Sequence, residues 1–506
     1  MAKTTPTPRG RFSRVIVRLV LGVVALEIVY VALANVALFA ASTRFADRAP
    51  VGVAYDRALT FVPGRVHVRN LRVTGAANGG WNVTVADCDV VFDVWQIVNA
   101  PRRVRRISGD VTAVEIGPKG ATKRLSGTIH VDVRDLAIDG SQISFDATST
   151  VAGGAIDSAK ETLASDVAGS IAIRIQDADD AGTGSVDLHG KFLSMAPLTS
   201  FASLIATQDP GTVRIAGSVK AGVLQPSSEV VANTAHATLK DARGASADYP
   251  HGLTITLGVS PTSPRALRLA VATPQIVFGS ADPSRPADVF DGFELAVPAG
   301  DADLRLNRME MRSLEWSTDH ARIHEGATTL SGKASGTLRF EVGHASRLVA
   351  NTGTIQVKDM LVEGDGDRAP FDALFSLERL EVSRDAGMAI RGHVHPSGKD
   401  AHAIVDLIVS SPPLRQTLAA LDGQPFSGDA AFERRENHLA IDALTLDCAG
   451  LNLRGGYHRS ASESLGAFVV TEGELRVGIV SKNGKESIVF APASTWLETQ
   501  LHAARP

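Results

Sequence analysis

The sequence predicts a mainly β protein: one N-terminal transmembrane helix followed by an elongated, curled antiparallel β-sheet with a few short helices. Three observations carry that expectation. A basic tail runs into one apolar stretch of membrane-spanning length, period-two alternation dominates the remainder of the chain, and one apolar spacing recurs along it.

The amino terminus comes first. Lys3, Arg9, Arg11, Arg14 and Arg18 precede an apolar run from Leu19 to Ala41. A bilayer core takes about 20 residues of helix, so the run is long enough to span it. Positive charges without an acidic neighbour place the N-terminus in the cytoplasm. Ala32-Leu33-Ala34 offers a small-x-small cleavage site, yet the apolar stretch continues through Val36, Leu38 and Phe39. An uncleaved anchor is therefore the expectation, with everything beyond about residue 42 outside the cytoplasm. Glu27 lies mid-span. It pairs with Asn35 or Arg18, meets a partner helix in the membrane, or sits protonated without a role.

At 506 residues, the chain calls for two or three domains or one elongated architecture. The expected division is a basic tail (1–18), the anchor (19–41), an N-terminal β region (42–150), a middle β region with short helical insertions (151–300) and a C-terminal β region (301–506). With 44% hydrophobic and 21% charged residues the chain is too apolar for disorder. A net charge of -4 argues against a nucleic-acid partner. Aromatics make up only 5%, so the apolar surface is aliphatic. Cys88 and Cys448 stand far apart, which excludes zinc spacing and a disulfide framework. Two buried thiols are expected, one long-range bridge being the alternative.

Beyond the anchor, runs such as 81–85 (WNVTV) and 171–175 (IAIRI) alternate with period two, punctuated by turn segments such as 75–80 (GAANGG). Helical patterns are confined to 194–205, 413–421 and, more weakly, 157–168, and do not alternate regularly with strands. A βαβ fold is thereby disfavoured.

The recurring spacing has apolar residues at i, i+2, i+5 and i+7 around a mostly polar pair. Val66, Val68, Leu71 and Val73 flank Arg69-Asn70. Val131, Val133, Leu136 and Ile138 flank Arg134-Asp135. Leu304, Leu306, Met309 and Met311 flank Asn307-Arg308, and Ile355, Val357, Met360 and Val362 flank Lys358-Asp359. Phe375, Leu377, Leu380 and Val382 flank Glu378-Arg379; Leu439, Ile441, Leu444 and Leu446 flank Asp442-Ala443. In a regular strand, i and i+5 point to opposite faces. A one-residue bulge at the polar pair returns all the apolar side chains to one face and bends the strand. That predicts a sheet curled around an apolar concave surface. The alternative is two short strands around a tight turn in an ordinary sandwich.

The order of these features resembles the bacterial AsmA-like group of envelope proteins, which includes TamB-type chains. After the anchor, 63–73 (PGRVHVRNLRV) is similar to the group's opening strand, and 81–94 with 104–116 resemble the paired strands next to it. The segments 217–228, 444–453 and 473–479 resemble later parts of such chains. The resemblance spans most of the chain and is carried by pattern. It implies an inner-membrane anchor, a periplasmic β-groove shaped like a taco, and transport of phospholipid towards the outer membrane. On that reading the repeat positions line the groove, acyl chains fill it and headgroups stay at its rim. About 25 strands at ~4.8 Å spacing give a groove on the order of 120 Å, which calls for a partner or a role at the inner membrane alone.

Enzyme signatures are missing: no GxSxG elbow, HExxH, Walker A loop or GxGxxG opens a helix. No cofactor is expected. His393, His395 and nearby His402 form the best metal candidate, and paired histidines on a strand are more often surface residues. The segment 364–367 (GDGD) reads as a turn, since it lacks the later ligands of a calcium loop. Arg102, Arg103, Arg105 and Arg106 form a basic cluster that either touches anionic headgroups or marks a solvated hairpin edge. The expectation is thus a membrane-anchored periplasmic protein with phospholipid as partner, the alternative being an envelope scaffold that holds no lipid.

Overall fold

The computed structural model describes residues 51–502 apart from connecting segments, the longest being 93–101, 195–204 and 402–422. The expected span 19–41 with Glu27 lies outside the described residues, as do most of the expected helices 194–205 and 413–421. Among the described residues no helix is long and apolar enough to cross a membrane.

The chain is mainly β, and its strands form one large antiparallel sheet that does not close into a barrel. It divides into two compact units, residues 1–195 with 210–232 and residues 196–209 with 233–506. The strands of the first are β1 (Val51–Ala54), β2 (Arg57–Val62), β3 (Arg65–Gly75), β4 (Trp81–Phe92), β5 (Arg102–Ile116), β6 (Lys123–Asp139), β7 (Gln142–Asp157), β8 (Thr162–Ile175) and β9 (Thr183–Phe192). After β10 (Ile205–Gln208) of the second unit, the first resumes with β11 (Gly211–Lys220) and β12 (Val223–Leu224). Strand β13 (Glu229–Thr234) spans the division. The second unit continues with β14 (Ala237–Lys240), β15 (Ser246–Tyr249), β16 (Leu253–Val259), β17 (Ala266–Gly279), β18 (Asp288–Arg305), β19 (Arg308–Met311), β20 (Ser313–Glu325), β21 (Thr328–Glu341) and β22 (Arg347–Glu363). It ends with β23 (Phe371–Ser383), β24 (Ala389–Gly398), β25 (Phe426–Arg435), β26 (His438–Cys448), β27 (Leu451–Arg459), β28 (Ser464–Glu472), β29 (Leu475–Lys482), β30 (Lys485–Phe490) and helix α1 (Trp496–His502).

The polar pairs are where the strands change phase. Asn70, Asp135, Asp359, Arg379 and Ala443 all have φ between 49° and 52°. Each is the second residue of its pair. A left-handed residue there absorbs one position of the alternation, and Asn and Asp carry that conformation at least cost. Pairing shifts register at the same places, between Arg134 and Ala137, Val357 and Met360, Glu378 and Glu381, and Ile441 and Leu444. At Asn70 the register with β4 is unbroken. Strand β4 changes phase opposite it, through Val83, Val85, Cys88 and Val90.

Two expectations are corrected. Among the described residues of 157–168 no helix forms: residues from Thr162 belong to β8, where Thr162, Ala164, Val167 and Gly169 repeat the bulged spacing around Asp166 at φ 52°. Strand periodicity outweighs the local helical pattern. The repeat at 304–311 is a hairpin and not a bulged strand, because Leu304 pairs with Met309 and Arg305 with Arg308.

Candidate functional site

Register turns the bulged strands of the first unit into rows that run across the sheet. One row is Ala58, Val68, Cys88, Gly109, Val131, Ser149, Ile171, Val186 and Gly217, each cross-strand partner of the next. On one side of it runs Val66, Val90, Ile107, Val133, Ala147, Ile173, Gly184 and Val219. On the other run Leu71, Val85, Val111, Ile129, Val151, Gly169, Leu188 and Ile215, and then Val73, Val83, Val114, Leu125, Ile156, Ala164, Phe192 and Gly211. These rows make one aliphatic face. Its middle is buried, with Val111, Ile129 and Val151 each at 3% exposure. Leu71, Val83, Ile107, Leu125 and Ile171 pack around that middle half-buried. No described helix covers it.

The opposite face is charged. His67, Asp89, Ser108, Asp132 and Thr148 succeed one another across it, as do Arg69, Asp87, Asp110, His130 and Thr150. Arg65 pairs with Asp89 at 2.7 Å, His130 with Asp110 at 3.0 Å, Arg174 with Asp146 at 2.6 Å and Lys191 with Asp166 at 2.8 Å. Exposed pairs of this kind contribute about 0–1 kcal/mol each, whereas burying one Val, Leu or Ile contributes roughly 1.5–3 kcal/mol. The aliphatic face therefore holds the unit together, and the charged face chiefly keeps it soluble and in register.

In the second unit a comparable row runs Ile255, Val271, Leu295, Trp316, Gly336, Ile355, Phe375 and Pro396. Its neighbour is Thr318, Ala334, Val357, Ala373, Gly398, Phe426, Cys448 and Leu451. Met360, Val362 and Phe371 are buried with it. Two phase breaks here carry threonine. Thr318 Oγ1 donates to the Asp291 carbonyl at 2.6 Å, and Thr273 Oγ1 donates to the Gly252 carbonyl at 2.6 Å. These strands repeat the spacing as Trp316, Thr318, Ala321, Ile323 and as Val271, Thr273, Ile276, Phe278. A count of apolar residues passes over them, because threonine scores as polar.

The sequence-predicted positions divide between the two units. Val66, Val68, Leu71, Val73, Val131 and Val133 lie in the rows of the first, and half-buried Leu136 extends them opposite Val104. In the second unit Val357, Met360, Val362, Leu377 and Leu446 are buried. Ile355, Phe375, Leu380, Val382, Leu439, Ile441 and Leu444 are half-buried. Leu306 and the side chains of Ile138, Leu304, Met309 and Met311 lie outside the described residues. Each unit holds its own members of the set.

The arginine cluster opens β5. The Arg102 side chain lies outside the described residues, and Arg103 and Arg105 are exposed. Arg106 is committed to Asp132 at 2.7 Å, with Arg134 on the same carboxylate at 2.9 Å. The Arg106 hydrogen bond, ahead of Arg134, holds the Asp132 carboxyl below the usual carboxylate range. His395 lies between Asp429 at 2.8 Å and Glu378 at 3.6 Å, and no described group of side chains could hold a metal ion. Both cysteines are free and buried. Burial, and then the charge of Asp89, pushes the Cys88 thiol up to about 11, so it is an inert core residue.

Two local features complete the geometry. Ser149 places a hydroxyl on the aliphatic face of the first unit, shut off from water and without a hydrogen-bond partner. Such a group costs roughly 1–3 kcal/mol. In the second unit, α1 covers the reverse face near the end of the sheet. A Cβ on Gly456 would lie 3.1 Å from Leu501, and one on Gly478 would lie 2.8 Å from Trp496. Those glycines face away from the side of Leu453, Phe468 and Ile479, so both faces are apolar there. No protein-family model matches this chain, and no curated protein matches it either.

Proposed function

We propose that this chain is a membrane-anchored envelope protein of the AsmA-like kind, whose sheet curls round its aliphatic face into a groove that takes acyl chains. The observation carrying the reading is the first unit's face: rows of aliphatic side chains, no catalytic constellation among them, and a charged reverse side. Val66 at 2% and Val167 at 1% exposure are nearly inaccessible although no described helix lies over them, as expected of a face that curls on itself. An acyl chain needs a continuous apolar surface and no reactive group, and it gains roughly 0.8 kcal/mol for each methylene removed from water. The bulges supply the bending that such a groove requires. Arg103 and Arg105, at the end of β5, are the proposed headgroup contacts. The apolar run 19–41 is the proposed anchor, with the N-terminus in the cytoplasm and the strands in the periplasm.

A second reading has one observation in its favour. Around β27–β29 the sheet is apolar on both faces and α1 covers one of them, as in a scaffold built from packed layers.

The test is photocrosslinking in bacterial cells with the full chain. Benzoylphenylalanine replaces Val131 or Ile355 on the aliphatic side, and His130 or Lys358 on the charged side. Phospholipid adducts, identified by mass spectrometry, are expected at the first pair and not at the second. Protein adducts without lipid at Val131 and Ile355 would favour the scaffold and sink the groove.

A further inference from the structure

The aliphatic face of the second unit ends in the open. One of its rows runs Leu446, Leu453, Val470, Val477 and Phe490, and the next runs Gly455, Phe468, Ile479 and Ile488. Leu446, Phe468, Val470 and Ile479 are buried, whereas Phe490 at 76% and Ile488 at 43% are exposed. Both belong to β30, which pairs with β29 and with no other described strand. Val489 points to the other face and is exposed as well. An antiparallel edge strand turns the N–H and C=O of alternate residues outward, where another strand can take them. Proteins usually guard such an edge with proline, a bulge, charge or a covering helix. Here the strand has no proline and its register with β29 is unbroken. The chain continues into a helix, yet α1 packs at Gly456 and Gly478, on the face of β27 and β29. Lys485 and Glu486 charge only the start of the strand. Lys485 stands opposite Lys482, which is neutralised by Glu463 at 2.7 Å, and has no carboxylate partner itself among the described residues.

We propose that β30 is a docking edge, at which an extended segment of a partner protein adds as the next strand of the sheet. Apolar residues at alternate positions of that segment lie beside Ile488 and Phe490 and continue their rows, and a carboxylate meets Lys485. The partner chemistry is thus a peptide of alternating apolar residues that carries an acid. A lipid surface does not fit, because an open edge in hydrocarbon leaves backbone groups without partners. A second copy fits poorly: Glu486 lies on the opposite face from Lys485, so antiparallel self-pairing of β30 brings that lysine no acid. The proposal stands on the edge alone and holds whether or not the aliphatic face takes acyl chains.

The experiment uses the full chain in nanodiscs and a fluorescein-labelled peptide of alternating valine and threonine with glutamate at each end. Anisotropy is expected to show binding, and amide hydrogen exchange over 486–490 to slow on adding the peptide. Lys485→Glu should weaken binding about fivefold, the worth of one exposed ion pair, and lysine in place of the peptide's glutamates should restore it. Phe490→Asp should weaken it about tenfold through the lost apolar contact. Methylating the peptide's amide nitrogens, which removes its edge hydrogen bonds, should abolish binding. A parent chain that binds neither peptide, or both equally, would overturn the proposal. In cells, benzoylphenylalanine in place of Ser487 is expected to cross-link a protein segment of alternating apolar residues. Adducts there to phospholipid or to a second copy of the chain would overturn it too, and would leave the acyl reading of the face untouched. Matching thermal midpoints show that the variants being compared are folded.

Discussion

At the scale of the residue, the left-handed positions set phase, and their chemistry ranks them. Asn and Asp tolerate φ near 50°, glycine carries it without strain, and alanine does not. Arg379 at φ 49° and Ala443 at φ 52° are the ill-suited members. Ala443→Gly should raise stability by about 1 kcal/mol, since relief of backbone strain there outweighs the added freedom of the unfolded chain. Asp359→Val, which puts a β-branched side chain at φ 51°, should lower it by roughly 1–2 kcal/mol. Thermal unfolding reads both, and equal midpoints would show that phase is set elsewhere. Asp132 makes a different prediction. Its carboxyl is held low in the folded state, so its contribution is present above the ordinary carboxylate pKa and fades as pH falls through the folded value. Asp132→Asn should cost about 2 kcal/mol at pH 7, because its side chain is only 10% exposed and is bound by two arginines. The cost should shrink below about pH 4, as the parent carboxylate also becomes neutral. A difference between the two proteins that stays constant from pH 7 to pH 3 would contradict this origin.

Elements succeed or fail here by what lies across from them. Strand β8 forms where a helical pattern exists locally, because its bulged spacing meets the matching rows of β7 and β9. Helix α1 is short, and isolated helices of its length are unstable in water. It stays folded on two glycines that let Trp496 and Leu501 reach the sheet. Gly478→Val should therefore push Trp496 off and release α1, at a cost of roughly 1–3 kcal/mol. Hydrogen exchange over residues 496–502 should rise, with little change in β3–β9. In a Trp496→Ala background the same valine should cost much less; an undiminished cost would place the strain in the strand. The phase breaks legible in the sequence were those marked by charged or amide pairs. Thr273 and Thr318 were not, because their role depends on a carbonyl of a neighbouring strand that no local window contains.

On the scale of the whole molecule, the β class, the aliphatic character and the alternation were legible, since each derives from local composition and period. The bulges were legible for the same reason, and the hairpin at 304–311 shows the limit: one spacing serves a bulge or a turn, and only pairing decides. The division into units was not visible. The chain leaves the first unit at residue 196, returns at 210 and leaves again at 233, without any change of composition to mark it. The rows were not visible either, for register is a relation between strands far apart in sequence. Ser149 was accordingly unremarkable until its cross-strand neighbours were known.

The left-handed bulges also govern how such a chain tolerates insertions and deletions. Between two bulges, a single inserted residue sends every later side chain to the wrong side, whereas a pair restores the original sidedness. A whole hairpin can be gained or lost without disturbing either side, and each lengthens or shortens the rows by about 10 Å. Relatives of this protein should therefore differ in length by hairpins, or by even steps within strands, while odd steps gather in the turns or arrive together with a gained or lost left-handed residue.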